Sequence, residues 1–236
     1  MAGKFLRGAF VQFMDTFLLP LPNIIIFQFN PETMTHTWTP AQPAGGSGPD
    51  ANPLAVKGTP GESFSFSLAM DANDMLADGS AVAQGIATVS GIYTRLAALE
   101  MLLYPTGGSG GGLLGSVSIS AGGVSLGGGG AGVKRDVPAA QLPTTLFVWG
   151  PGRILPVKVT SLTITEKLYD PVLLNPTHAD ATIALTVLTP EELKFVSGPL
   201  ADLANIAYDY SQGLRQALAI ANLANAAESA IGMLPV

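Results

Sequence analysis

Side chains able to do chemistry are few in this sequence and lie far apart. There are two histidines, His36 and His178, and no cysteine, so neither a thiolate metal site nor a disulfide framework can form. His178 stands close to Asp180 but has no second histidine near it, and His36 alternates with threonines on the side of Met34 and Trp38, as a packed strand residue does. A serine nucleophile wants a G-x-S-x-G turn between strand and helix. Gly107-Gly108-Ser109-Gly110-Gly111 meets that spacing only because the whole tract is glycine. The same tract offers G-x-G-x-x-G, with no helix start to receive a pyrophosphate. Asp71, Asn73 and Asp74 begin like a calcium loop, but Met75 takes the next ligand position, so an Asx-rich turn is the plainer reading. Glu32, Glu62, Glu166 and Asp170 are scattered carboxylates that the sequence does not pair for acid–base work. We therefore expect no enzyme: no catalytic residue, no metal, no cofactor and no small-molecule substrate.

Composition points the same way. The 236 residues are long enough to bury a sizeable core. Only 12% of them are charged, where roughly 25% is usual, and the mean hydropathy is +0.39. Such a surface is expected to be covered by neighbours. The formal charge of -6 and the lack of a Lys/Arg cluster exclude a protein that wraps nucleic acid. Near the N-terminus, Lys4 and Arg7 precede an apolar run, but Gln12 and Asp15 interrupt it and no small-x-small cleavage site follows. No apolar stretch is long enough to span a bilayer. The expected location is the cytoplasm, unless the protein leaves as part of an assembly.

The elements can be read from periodicity. Phe5 to Leu18 carries apolar residues at helical spacing, giving an amphipathic helix or a packed arm over residues 1–22. Ile24 to Phe29 reads as a strand closed by Asn30-Pro31. Met34, His36 and Trp38 then alternate with Thr33, Thr35, Thr37 and Thr39, so one face is bulky and the other all threonine. Phe64, Phe66, Leu68 and Met70 alternate with Ser63, Ser65, Ser67 and Ala69, a strand whose second face is small and polar. That face would suit a channel wall or a close subunit contact. A helix is expected from Val89 to Tyr104, with Ser90 as its N-cap. A Gly/Ser-rich insertion follows within 105–142, where a small hairpin is possible. Leu146 to Trp149 reads as a strand stopped by Gly150-Pro151-Gly152. In the next strand the apolar parity changes from Val157 and Val159 to Leu162 and Ile164, which a β-bulge near Thr160 and Ser161 explains. Ile183, Leu185 and Val187 form a strand with one buried face. From 197 to 236 the pattern is helical, with Leu200, Leu203, Ala207, Tyr210, Leu214, Ala217, Ala221 and Ala224 at alternating steps of three and four.

Four of these motifs occur in an order that resembles the contractile injection system tube and baseplate adaptor family. They are the strand ending Phe27-Gln28-Phe29-Asn30-Pro31-Glu32 with Trp38 beyond it; Ser63 to Asp71; Leu146 to Gly150, including Trp149; and the strand through Glu166 followed by Leu174-Asn175-Pro176. The resemblance covers roughly residues 20 to 196. It implies an α+β, mainly β fold: an antiparallel tail-tube-like β-barrel or sandwich over 23–196, with one packed helix and a C-terminal alanine-rich helix. It also implies a phage-tail-like particle in which six copies form a ring at the baseplate end of the inner tube, between the tube protein and a trimeric spike hub. Ser63, Ser65 and Ser67, or the Thr33 to Thr39 set, would face the channel or a ring neighbour.

The chain departs from that family in lacking a C-terminal LysM-like module, which a separate LysM-type baseplate protein would then supply. A tube-end cap on the same fold is a competing expectation, and a secreted binding module or hydrolase is one from another class.

Overall fold

The computed structural model describes residues 6–13, 22–44, 52, 54–73, 90–105, 142, 144–196 and 200–233. The architecture is α+β and mainly antiparallel β. Seven strands form one sheet in the order β2-β1-β7-β8-β9-β6-β3. They are β1 (Ala9–Phe13), β2 (Pro22–Ile26), β3 (Met34–Thr39), β6 (Gly61–Asp71), β7 (Thr145–Val148), β8 (Ile154–Tyr169) and β9 (Pro176–Val187). A two-stranded ribbon of β4 (Gln42–Pro43) and β5 (Val56–Lys57) stands apart. Among the described residues three helices accompany the strands: α1 (Tyr93–Glu100), α2 (Pro190–Leu193) and α3 (Leu200–Met233).

The sheet is strongly curved, and its aromatic residues explain why. In the strand order β1 and β6 are four spacings apart, about 19 Å if the sheet were flat. Yet the rings of Phe10 on β1 and Phe66 on β6 lie 6.4 Å apart. The sheet therefore curls until its two ends face one another. Phe147 fills the middle, with ring centroids 5.5 to 6.5 Å from Phe10, Phe27, Phe64, Phe66 and Trp149. Between the facing ends a side chain replaces a strand neighbour. The buried Gln28 amide donates to the Asp71 carbonyl at 2.9 Å and accepts from the Asp71 N–H at 3.1 Å, and Arg95 of α1 donates to the same oxygen.

Several sequence expectations hold in detail. The β8 register shifts between Val159 and Ser161, a bulge at Thr160 where the apolar parity changes. Leu162 and Ile164 thereby stay on the core side as partly buried residues. The strands expected at Met34–Thr39, within Gly61–Asp71 and around Ile183 are all present.

Two expectations need correction. Residues 9–13 are a strand inside the sheet rather than part of an amphipathic helix, paired with β2 on one side and β7 on the other. Gln12 concealed this: a polar residue on the inward face, fully buried, it breaks the apolar alternation. It is satisfied by donating to the Met101 carbonyl and accepting from Asn23. The second correction concerns α1, which is shorter than expected and takes Ile92, not Ser90, as its N-cap, with no side-chain cap bond. Gly91, at φ +56°, lies between them, and a Cβ there would meet the Pro176 carbonyl oxygen at 2.6 Å. The glycine-rich tract with Ser109, and Asp74, lie outside the described residues.

Candidate assembly interface

Strand pairing assembles one surface that single strands only suggested. Directly paired residues share a face of the sheet, so Thr35, Ser65, Ala184 and Ser161 form a row across β3, β6, β9 and β8. Thr37, Ser63, Thr186 and Lys158 form the next row, and Ser67, Thr182 and Thr163 another. The bulge at Thr160 keeps β8 in this pattern, and Ser67 and Thr182 share a hydroxyl hydrogen bond of 2.7 Å. In these rows the one charge is Lys158 at the margin, and the Lys167–Asp180 ion pair stands just beyond them. The result is a wall about 14 Å wide, four strands across, of short neutral hydroxyls. Such groups exchange hydrogen bonds with water readily, yet present no fixed charge and little apolar area to hold a passing molecule.

The sheet ends in open strand edges. Among the described residues, β2 and β3 each have a ladder partner on one side only. The β3–β6 ladder stops at Met34 and Phe66. Beyond it Asp71 turns its backbone toward Gln28, so by the period of two Ala69 and Ser67 turn theirs the same way. They open into a cleft of about 800 Å³ bordered by Arg7, Phe29, Asn30, Pro31 and Glu32.

The motif residues of the sequence divide between this surface and the interior. Phe27 is buried in the aromatic cluster, and Trp149 packs against it at 6.4 Å. Phe29 is exposed, and Pro31 lines the cleft. Asn30 fastens the segment before β1, accepting from the Gly8 N–H and donating to the Leu6 carbonyl, both at 2.9 Å. Gly150 sits in the β7–β8 turn at φ +66°. Asn175 and Pro176 close the β8–β9 hairpin: the Asn175 carbonyl accepts from the Asp170 N–H, and that of Pro176 accepts from Ile92 at the start of α1. Glu166 accepts from the Tyr169 hydroxyl near that hairpin's tip. Ser63 and Ser65 are half-buried and Ser67 exposed, all three on the hydroxyl wall.

Sequence reasoning missed one cluster on the opposite, inward side. Glu62, its side chain 3% exposed, accepts from Arg215 of α3 at 2.5 Å and meets His36 Nε2 at 2.8 Å. Arg215 lies over the Trp38 ring and Arg153 over Phe64. Burial lowers the Arg153 pKa, the Glu62 carboxylate opposes that shift, and Arg215 adds to it. Arg215 and His36 thus contact one buried carboxylate that Arg153 feels only at longer range, and Arg215 Nη1 is buried without a hydrogen-bond partner. The parity of Glu62 with Phe64 and Phe66 was the available signal. The cluster ties α3 to β6 and shields one face of Trp38. His178 faces Asp71 at 3.8 Å, and among the described residues no three His, Asp or Glu side chains gather as metal ligands.

Comparison with known proteins adds no identity: no family model matches the chain and no curated relative is found.

Proposed function

We propose that this chain is a structural, non-enzymatic ring subunit of a phage-tail-like contractile injection system, standing at the baseplate end of the inner tube and joining tube to spike. The observation that carries the reading is the hydroxyl wall across β3, β6, β9 and β8. Turned toward the axis of a ring, a wall of short neutral hydroxyls lets cargo slide past without adsorbing it. The curled seven-stranded sheet is then a tail-tube-type β-barrel, and the unpaired edges at β2 and β3 are where neighbouring copies complete it. A chain with 12% charged residues fits a surface consumed by such contacts. Its partners are five further copies of itself, the inner tube protein, the trimeric spike hub and a separate LysM-type baseplate protein. Assembly takes place in the cytoplasm, and the finished particle is the form that leaves the cell.

Co-expression with candidate tube and spike proteins, followed by native mass spectrometry and electron microscopy, tests this. The expected result is a six-membered ring bound to both partners, and labelling at the baseplate end separates it from a cap at the far end. A chain that stays monomeric and co-purifies with neither would end the proposal.

A further inference from the structure

The hairpin that joins β8 to β9 ends in an apolar knob. The last residue pair that β6 shares with β9 is Asp71 and His178, whereas β8 and β9 run on to the pair Tyr169 and Pro176. With the turn added, this two-stranded tip overhangs β6 by about 10 Å. Leu168, Tyr169, Val172, Leu173 and Leu174 stand on it, each more than half exposed and Val172 at 82%. The knob is internally hydrogen-bonded. The Asp170 side chain accepts from the Val172 N–H and its carbonyl from the Leu174 N–H, the Asn175 carbonyl accepts from the Asp170 N–H, and the Thr177 hydroxyl donates to the Leu168 carbonyl. Its base is braced on α1, where the Ile92 N–H donates to the Pro176 carbonyl. Leu168 and Leu174 hold φ at +53° and +55°, and among the described residues no other residue except glycine has a positive φ. Glycine or asparagine would take that conformation more readily, so the turn by itself does not call for leucine.

We propose that this knob is the axial fastening of the ring: each copy sets it into an apolar socket of the tube subunit stacked on the ring's face. The inference rests on the ring reading. There, neighbouring copies join at strand edges, so the ends of the strands, and with them the β8–β9 turn, project from a face of the ring. Charge, area and symmetry select the occupant. A bilayer fits poorly, because Asp170 lies within the knob, Glu166 and Asp180 stand at its neck, and the neck's Lys167 is already paired with Asp180. The apolar side chains expose roughly 600 Å², at the upper end of patches on monomers but short of the roughly 800 Å² that each partner buries in a stable complex. One knob therefore holds a partner weakly. The occupant must meet several knobs at once, so that each engaged knob raises the effective concentration of the next. A layer with the ring's own rotational symmetry offers every knob an equivalent socket, whereas a trimeric spike hub repeats its surface three times and leaves alternate knobs in water.

Full-length wild type, Val172→Asp and Leu174→Gly are compared after co-expression with the tube protein. Both variants are expected to form rings of wild-type size by native mass spectrometry and to bind the tube protein at least tenfold more weakly in co-sedimentation. Leu174→Gly is also expected to melt no lower than wild type, since it relieves the positive φ. That split between stability and binding is one that a merely structural leucine would not give. Variant rings that bind the tube protein as wild type does would overturn the inference and leave the ring reading standing, whereas a wild type that makes no ring takes down both. Loss of spike-hub binding in place of tube binding would overturn the assigned occupant, as would wild-type binding to neutral phosphatidylcholine vesicles that both substitutions abolish.

Discussion

Among the described residues Glu62 is the one buried carboxylate, and two arginines and a histidine depend on it. Glu62→Ala removes the carboxylate that Arg215 and His36 contact and that offsets the like charges of Arg153 and Arg215. The loss expected from a buried pair is about 3–5 kcal/mol; Arg215, 27% exposed, recovers some hydration, so we expect about 2–3 kcal/mol in urea denaturation. Gly8 is constrained differently. A Cβ there would stand 2.7 Å from both the Phe27 and Trp149 rings, so Gly8→Ala is expected to cost about 1–3 kcal/mol by overpacking, read as a lowered thermal midpoint. What the sequence disclosed at this scale follows from these cases. Glu62 shared the inward parity of Phe64 and so signalled its burial, whereas Arg215 lies 153 positions away and nothing local pointed to it. Gln12 misled because a satisfied polar group in the core looks, in sequence, like an exposed one.

At the scale of elements, the strands with one clean face were legible because alternation is a local property. β3, β6 and β9 needed only their own residues, and the bulge in β8 announced itself by the change of parity at Thr160. Deleting Thr160 should merge the two halves of β8 into one regular alternation, with Val157, Val159, Leu162 and Ile164 still inward and Ser161 and Thr163 still outward. The expected outcome is a soluble, folded protein, and an insoluble product, or one that binds a hydrophobic dye, would refute the register. Ser65→Arg tests the wall without touching the core. We expect stability within about 0.5 kcal/mol of wild type but impaired cargo passage or ring assembly, measured on isolated particles. The start of α1 was illegible because its limit is set from outside: Gly91 and Ile92 fit beneath Pro176, and only the folded hairpin brings that carbonyl near.

For the whole molecule, the division of labour between body and helix makes a sharp prediction. Ending the chain after Arg215 removes only residues beyond the last anchor described, so the body should unfold within about 0.5 kcal/mol of the intact protein. Calorimetry on the two proteins decides it. The curl of the sheet, by contrast, could not be read in advance, since it is made by Phe10, Phe66 and Phe147 meeting from distant parts of the chain. The pairing of β1 with β7 also governs how the protein is born on the ribosome. β1 finds β2 at once but must wait for its second partner, made roughly 130 residues later, on the order of ten seconds of translation. Throughout that delay Phe10 and Phe27, both buried in the finished fold, are on a nascent chain without the Phe147 ring they pack against, so its yield should follow the supply of chaperones that shelter unfinished polypeptides.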